Sequence, residues 1–147
     1  LGDTNNTNVA SFAVFDGQLY IGLRNVVDGG ELWRSADGLN WNPVFTGGLG
    51  DPANGRPYGL IPYDGELYLT FSNLETGAEV WRSWDGSTWG QIGFAGWGDA
   101  KNGYADYFDK GATEFNGSLF IGVTNWTNGV QIWQLLHQVY LPLVTTD

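Results

Sequence analysis

Phe15-Asp16-Gly17-Gln18-Leu19-Tyr20 is written twice more in this chain, as Tyr63-Asp64-Gly65-Glu66-Leu67-Tyr68 and as Phe115-Asn116-Gly117-Ser118-Leu119-Phe120. Each copy is an apolar residue, a two-residue Asx-Gly turn and the head of an alternating run, the sequence form of a tight β-hairpin. Downstream, Glu31-Leu32-Trp33-Arg34-Ser35 returns as Glu79-Val80-Trp81-Arg82-Ser83 and, more weakly, as Gln131-Ile132-Trp133-Gln134-Leu135. The three tryptophans stand 48 and 52 residues apart. A period of this length, with no helical pattern inside it, predicts an all-β chain of three β-propeller blades, residues 1–48, 49–96 and 97–147. Three blades do not close a ring, so the expectation is a piece, or a protomer, of something larger.

The first unit supplies the template. Val9 to Phe15 reads as strand A, Gln18 to Asn25 as B, Gly30 to Ser35 as C and Asn40 to Phe45 as D. The second unit repeats this with Gly59 to Tyr63, Glu66 to Asn73, Ala78 to Ser83 and Thr88 to Gly93. The third departs twice. Four extra residues are expected before its strand A, around Tyr104-Ala105-Asp106-Tyr107-Phe108, and its C–D turn has Leu135, His137 and Leu141 where the second has Ser83, Asp85 and Trp89. Val139 to Val144 is expected to serve as strand D, with Pro142 marking an edge.

Composition narrows the function classes. The 147 residues include 23 Gly, 8 Trp, 7 Tyr and 8 Phe, with no Cys and no Met, which suits short strands, tight turns and aromatic packing. Without Cys there are no disulfides, thiolate metal sites or cysteine nucleophiles. Six basic against 16 acidic residues give a net charge of −10, so nucleic acid is not an expected partner. No apolar stretch is long enough to span a bilayer. With no initiator Met and no signal peptide, the chain reads as a processed or excised segment, expected to be extracellular or at a cell surface.

Ser35-Ala36-Asp37-Gly38-Leu39-Asn40-Trp41 and Ser83-Trp84-Asp85-Gly86-Ser87-Thr88-Trp89 resemble the Asp-box of sialidase-like propellers, one residue short between Asp and Gly. The resemblance implies a folding element away from the active site, so Asp37 and Asp85 are not expected to be catalytic. It also implies that a sialidase centre would need an arginine cluster, a Tyr nucleophile with a Glu partner, and an acid/base Asp. The arginines are Arg24, Arg34, Arg56 and Arg82, and two of them, Arg34 and Arg82, simply repeat.

Turns of an up-and-down blade alternate between the faces of the disc, so the B–C turns and the connections between blades share one face. Two repeated polar signatures fall there: Asp3 with Asn6, Asp51 with Asn54 and Asp99 with Asn102; and Asn25, Asn73 and Asn125 at the ends of the B strands. The structural reading is that these satisfy tight connections; the sharper one is a ring of oxygens for sugar hydroxyls or Ca²⁺. No Asp-x-Asp-x-Asp loop accompanies them, so no cofactor is expected, with calcium the one candidate. Trp97, Tyr107 and Trp126 add rings able to stack on sugars.

Catalysis finds little support in the repeat pattern. No carboxylate pair stands out for glycoside hydrolysis, Asp106, Asp109 and Glu114 being the one unrepeated cluster, and a single histidine makes no triad. The expectation is therefore a non-catalytic recognition module, lectin-like, partnered by glycans and by itself or by missing blades. The alternatives are a self-assembling structural module and a fragment of a glycoside hydrolase.

Overall fold

The computed structural model describes residue 1 and residues 4–105, 111–136 and 139–145. Among these it is all-β, in three antiparallel sheets. The first holds β1 (Asn8–Phe15), β2 (Gln18–Arg24), β3 (Glu31–Ser35) and β4 (Asn42–Phe45) in chain order. The second holds β5 (Arg56–Tyr63), β6 (Glu66–Ser72), β7 (Glu79–Ser83) and β8 (Gly90–Ile92). In the third, β9 (Tyr104–Ala105) and β10 (Ala112–Phe115) both pair with β11 (Ser118–Thr124), followed by β12 (Gln131–Leu136) and β13 (Val139–Thr145). Pro142 lies on the outermost strand, opposite Trp133, as Pro43 lies opposite Trp33.

Strand A carries a bulge at one fixed place. The register of β1 on β2 shifts between Val9 and Ser11, and that of β5 on β6 between Pro57 and Gly59, leaving Ala10 and Tyr58 as extra residues. In blade 3, Ala105 pairs with Val123 and the Gly122 N–H donates to the Gly111 carbonyl. Five residues of chain therefore separate Ala105 from Gly111, where a single residue separates the matching partners in the other blades. The insertion falls inside strand A, not before it as the sequence suggested, because a bulge already interrupts the ladder and extra residues there break no further pairing.

Alternation along each strand gives every blade two unlike apolar faces. Ala13, Tyr20 and Leu32 of blade 1 pack on Leu60, Leu67, Leu69 and Phe71 of blade 2. Tyr68, Val80 and Ile92 of blade 2 pack on Leu119, Ile121, Val123 and Trp133 of blade 3. The core is thus a series of seams between neighbouring sheets. Hydroxyls stitch the innermost strands together: Ser11 Oγ donates to the Pro57 carbonyl at 2.7 Å, and Thr70 Oγ1 to that of Ala105 at 3.4 Å.

The turns follow local chemistry. Asp16-Gly17, Asp64-Gly65 and Asn116-Gly117 have positive φ at both residues, as a type I′ hairpin requires. In the Ser-x-Asp-Gly turns the carboxylate organises the backbone. Asp85 Oδ1 accepts from the N–H groups of Thr88 at 2.7 Å and Ser87 at 2.8 Å and from Ser83 Oγ, while Oδ2 accepts from Thr88 Oγ1. Asp37 repeats this with Asn40, Leu39 and Ser35. The bond from the Thr88 N–H is the main cause that lowers the Asp85 pKa from 3.8 to about 2, and the Asn40 N–H likewise holds Asp37 well below the usual range.

Because both folded pKa values lie below the unfolded ones, the turns contribute stability that is fully present above pH ~4 and lost as pH falls through ~2. Melting temperature followed from pH 7 to pH 2 is expected to fall more steeply for the wild type than for a D37N/D85N variant. Parallel curves would show that these carboxylates carry no folding linkage.

Candidate functional site

The repeated asparagines form a buried relay. Asn54, in the connection entering blade 2, donates from Nδ2 to Glu79 Oε2 at 2.8 Å and to the Gly48 carbonyl at 3.1 Å, and its Oδ1 accepts from Asn73 Nδ2 at 2.9 Å. Asn73 also donates to Asp51 Oδ2, while its Oδ1 caps the B–C turn by accepting from the Glu75 and Thr76 N–H groups. Glu79 ends the chain of bonds by accepting from Trp81 Nε1 at 2.8 Å. Blade 3 reproduces every link with Asp99, Asn125, Asn102, Gln131 and Trp133. In blade 1, Asn25 caps Val27 and Asp28, and Asn6 and Trp33 both donate to Glu31.

The relay changes how the sequence candidates are read. Asn25, Asn54, Asn73, Asn102 and Asn125 are buried. The Nδ2 and Oδ1 groups of Asn54, Asn73, Asn102 and Asn125 are occupied within the fold, so they offer no ring of oxygens to a ligand. Asp51 and Asp99 are held by the same amides and by the Ala53 and Lys101 N–H groups, the last being the main cause that lowers the Asp99 pKa. Asn6 is half-buried and bonded to Glu31. Trp97 stacks on Trp133 with ring centroids 5.0 Å apart and planes at 19°, the place that Leu49 takes at the previous seam. Trp126 stands open at a B–C turn. Asp3 and Tyr107 lie outside the described residues. Among the described residues no group of three or more metal-ligating side chains comes together.

The structure instead brings together residues that differ between blades. At the starts of the A strands and the ends of the B strands, Asn8 pairs with Arg24, Arg56 with Ser72, and Tyr104 with Thr124. Beside them are the bulge residues Ala10 and Tyr58. Arg24 Nη1 donates to Thr7 Oγ1 at 2.7 Å. Ser72 Oγ is fully buried and has no hydrogen-bond partner among the described residues. Guanidinium, hydroxyl and phenol groups are the kinds of side chain that bind polyhydroxylated ligands, since they supply donors and flat apolar surface together. Sequence reasoning passed over Asn8, Tyr58 and Ser72; the signal was there, as positions where one blade fails to match the next.

No family model matches the chain, and no curated protein matches it. Among solved structures it is similar to an α-L-arabinofuranosidase from Clostridium thermocellum ATCC 27405, with a TM-score of 0.60 and 14% identity. The similarity covers 99% of this chain and 56% of that one, so this chain spans little more than half the length of the structure it matches. At that identity the likeness establishes the propeller fold. The likeness runs against two expectations, that the module is non-catalytic and lectin-like and that the chain is no enzyme, because the solved structure that shares its fold is a glycoside hydrolase, the alternative that the sequence reading ranked below them. The sequence reading had set the unrepeated Asp106, Asp109 and Glu114 aside because no carboxylate pair among them stood out.

Relay and strand heads are expected to respond differently to truncation. Asn54→Ala leaves Glu79 and Asn73 short of partners in a buried place and is expected to cost about 1–3 kcal/mol in a urea titration. Asn8→Ala, at an exposed position, is expected to change stability by less than ~0.5 kcal/mol. Equal effects would show that the relay is not what holds the seams.

Proposed function

We propose that the chain supplies three blades of a carbohydrate-active propeller, a glycoside hydrolase acting on arabinofuranosides or similar small-sugar glycosides. The observation that carries this reading is the replacement of the single bulge residue of strand A by five residues in blade 3, two of them Asp106 and Asp109. Bulges recur beside active sites because they re-aim side chains while the sheet around them stays rigid. The likeness to an arabinofuranosidase along nearly the whole chain supports the same reading.

Glycoside hydrolysis needs one carboxylic acid to protonate the leaving oxygen and one carboxylate to activate water or attack the anomeric carbon. Asp106 and Asp109 are the candidates for that pair. Arg24 and Arg56 would orient the sugar, and Tyr58 and Tyr104 would stack on it. The Ser-x-Asp-Gly turns fit this scheme as shortened Asp-boxes, folding elements at the opposite side of each blade. Their support is the bonding of Asp37 and Asp85 to their own turns, which leaves neither carboxylate free for chemistry.

The test is turnover of an aryl α-L-arabinofuranoside beside a panel of other aryl glycosides. Asp106→Asn and Asp109→Asn are expected to lower kcat about 10²–10⁴-fold with an unchanged melting temperature. Turnover that survives both substitutions would remove the pair from the mechanism. Absence of turnover on every glycoside by the folded protein would refute the reaction class.

A further inference from the structure

The face of blade 3 that points away from blade 2 is built like the faces that blades 1 and 2 bury. An aromatic pair stands on it in every blade: Phe15 and Tyr20 with centroids 6.3 Å apart, Tyr63 and Tyr68 at 6.0 Å, Phe115 and Phe120 at 6.4 Å. In blades 1 and 2 the next blade closes over Tyr20 with Leu32 and over Tyr68 with Val80. In blade 3 Phe120, the equivalent of those tyrosines, is half-buried, and the residues beside it are open. Phe115 is 63% and Ile132 42% exposed, and with Thr113 and Phe120 they line a groove of about 420 Å³.

The backbone repeats the pattern. At the first seam the N–H groups of Asn25 and Gly30 donate to the carbonyls of Gly55 and Asn54. At the second, those of Asn73 and Ala78 donate to Gly103 and Asn102. The next donors in the series, Asn125 and Val130, have no such partner among the described residues. At the other end of the blade row, the carbonyls of Asn6 and Thr7 occupy the positions of Asn54 and Gly55 and also lack partners there. Phe12, equivalent to Leu60, is 64% exposed where Leu60 is 7%.

We propose that a second copy of this chain seats its blade 1 on blade 3, and that two copies joined head to tail close one ring of propeller blades. Each seam inside the chain is a template for the junction, because the two open faces carry the register positions that already meet twice. The second seam is the closer template. Thr7 stands where blades 2 and 3 have glycine; a Cβ at Gly55 meets the Asn25 carbonyl at 2.7 Å, whereas at Gly103 it meets the Asn73 carbonyl at 3.4 Å, an ordinary contact. There it also meets the end of the Leu74 side chain at 2.7 Å, whose equivalent is the exposed Trp126. That side chain is free to lie aside. Chains of net charge −10 repel, so association tightens as salt rises. The proposal is independent of the reaction assigned above.

Ile132→Glu and Phe12→Glu place a carboxylate on the two faces at positions already exposed, so both variants are expected to keep the wild-type circular dichroism and a cooperative melt, lowered only by the stability that association adds to the wild type. By light scattering the wild type is expected to have the mass of two chains, and each variant alone that of one. An equimolar mixture of the variants is expected to regain the two-chain mass, since the Phe12→Glu protein keeps its blade 3 face and the Ile132→Glu protein its blade 1 face. One junction is then wild type. That rescue is peculiar to a head-to-tail contact. A one-chain mass for the wild type across about a hundredfold range of concentration, a dimer indifferent to Ile132→Glu, species larger than two chains, or a mixture that stays monomeric would each overturn the proposal.

Discussion

The blades depend on one buried amide. Asn54 and Asn102 sit where the incoming connection, the end of strand B and the start of strand C converge. A buried polar group is tolerated only with its donors and acceptors matched. A side-chain amide is the group that donates twice and accepts at once, so asparagine is demanded there and aspartate is not. The position it donates to needs only an acceptor, which explains why glutamate in blades 1 and 2 becomes Gln131 in blade 3 without loss of the link to tryptophan. Backbone carbonyls of the same residues accept from the preceding blade, so one residue fixes both the inside of a blade and its seam.

That constraint decides where chemistry can sit. A rim whose amides are occupied cannot also coordinate a ligand, although the same residues looked like a binding ring on paper. Freedom to vary is left to the starts of the A strands and the ends of the B strands, where the pairing is held by the backbone. Those positions carry Asn8 and Arg24 in one blade, Arg56 and Ser72 in the next, and Tyr104 and Thr124 in the third. The bulge beside them is a point at which chain can be added cheaply, and blade 3 adds it.

The fold was legible because its determinants are local and repeated three times. An Asx-Gly pair between alternating runs specifies a type I′ hairpin wherever it occurs, and the φ angles of Asp16, Asp64 and Asn116 show it. Strand limits were read less well: β5 starts at Arg56, three residues before the expected Gly59, because pairing continues through the bulge. The site was read least well. Nothing in Gly-Asp-x-x-Asn tells whether its amide faces water or another amide, since the answer depends on Glu79, which is 25 residues further along. Subtracting the repeat, rather than following it, was the step that would have exposed Tyr58 and Ser72.

A row of blades with unlike faces has a direction. Each sheet presents its aromatic pair to the next and its aliphatic row of strand B to the one before, so no blade can satisfy itself and none can reverse. An outward apolar face in such a row is capped with polar residues or covered by a neighbour, because a stacking unit left bare invites association. Blade 3 does neither within the described residues: Phe115, Val130 and Ile132 are apolar and exposed. The same geometry that makes the interior seams stable therefore fits the exposed face of blade 3 to one kind of neighbour, a blade that brings an aliphatic row and two carbonyls in the register of Asn54 and Gly55.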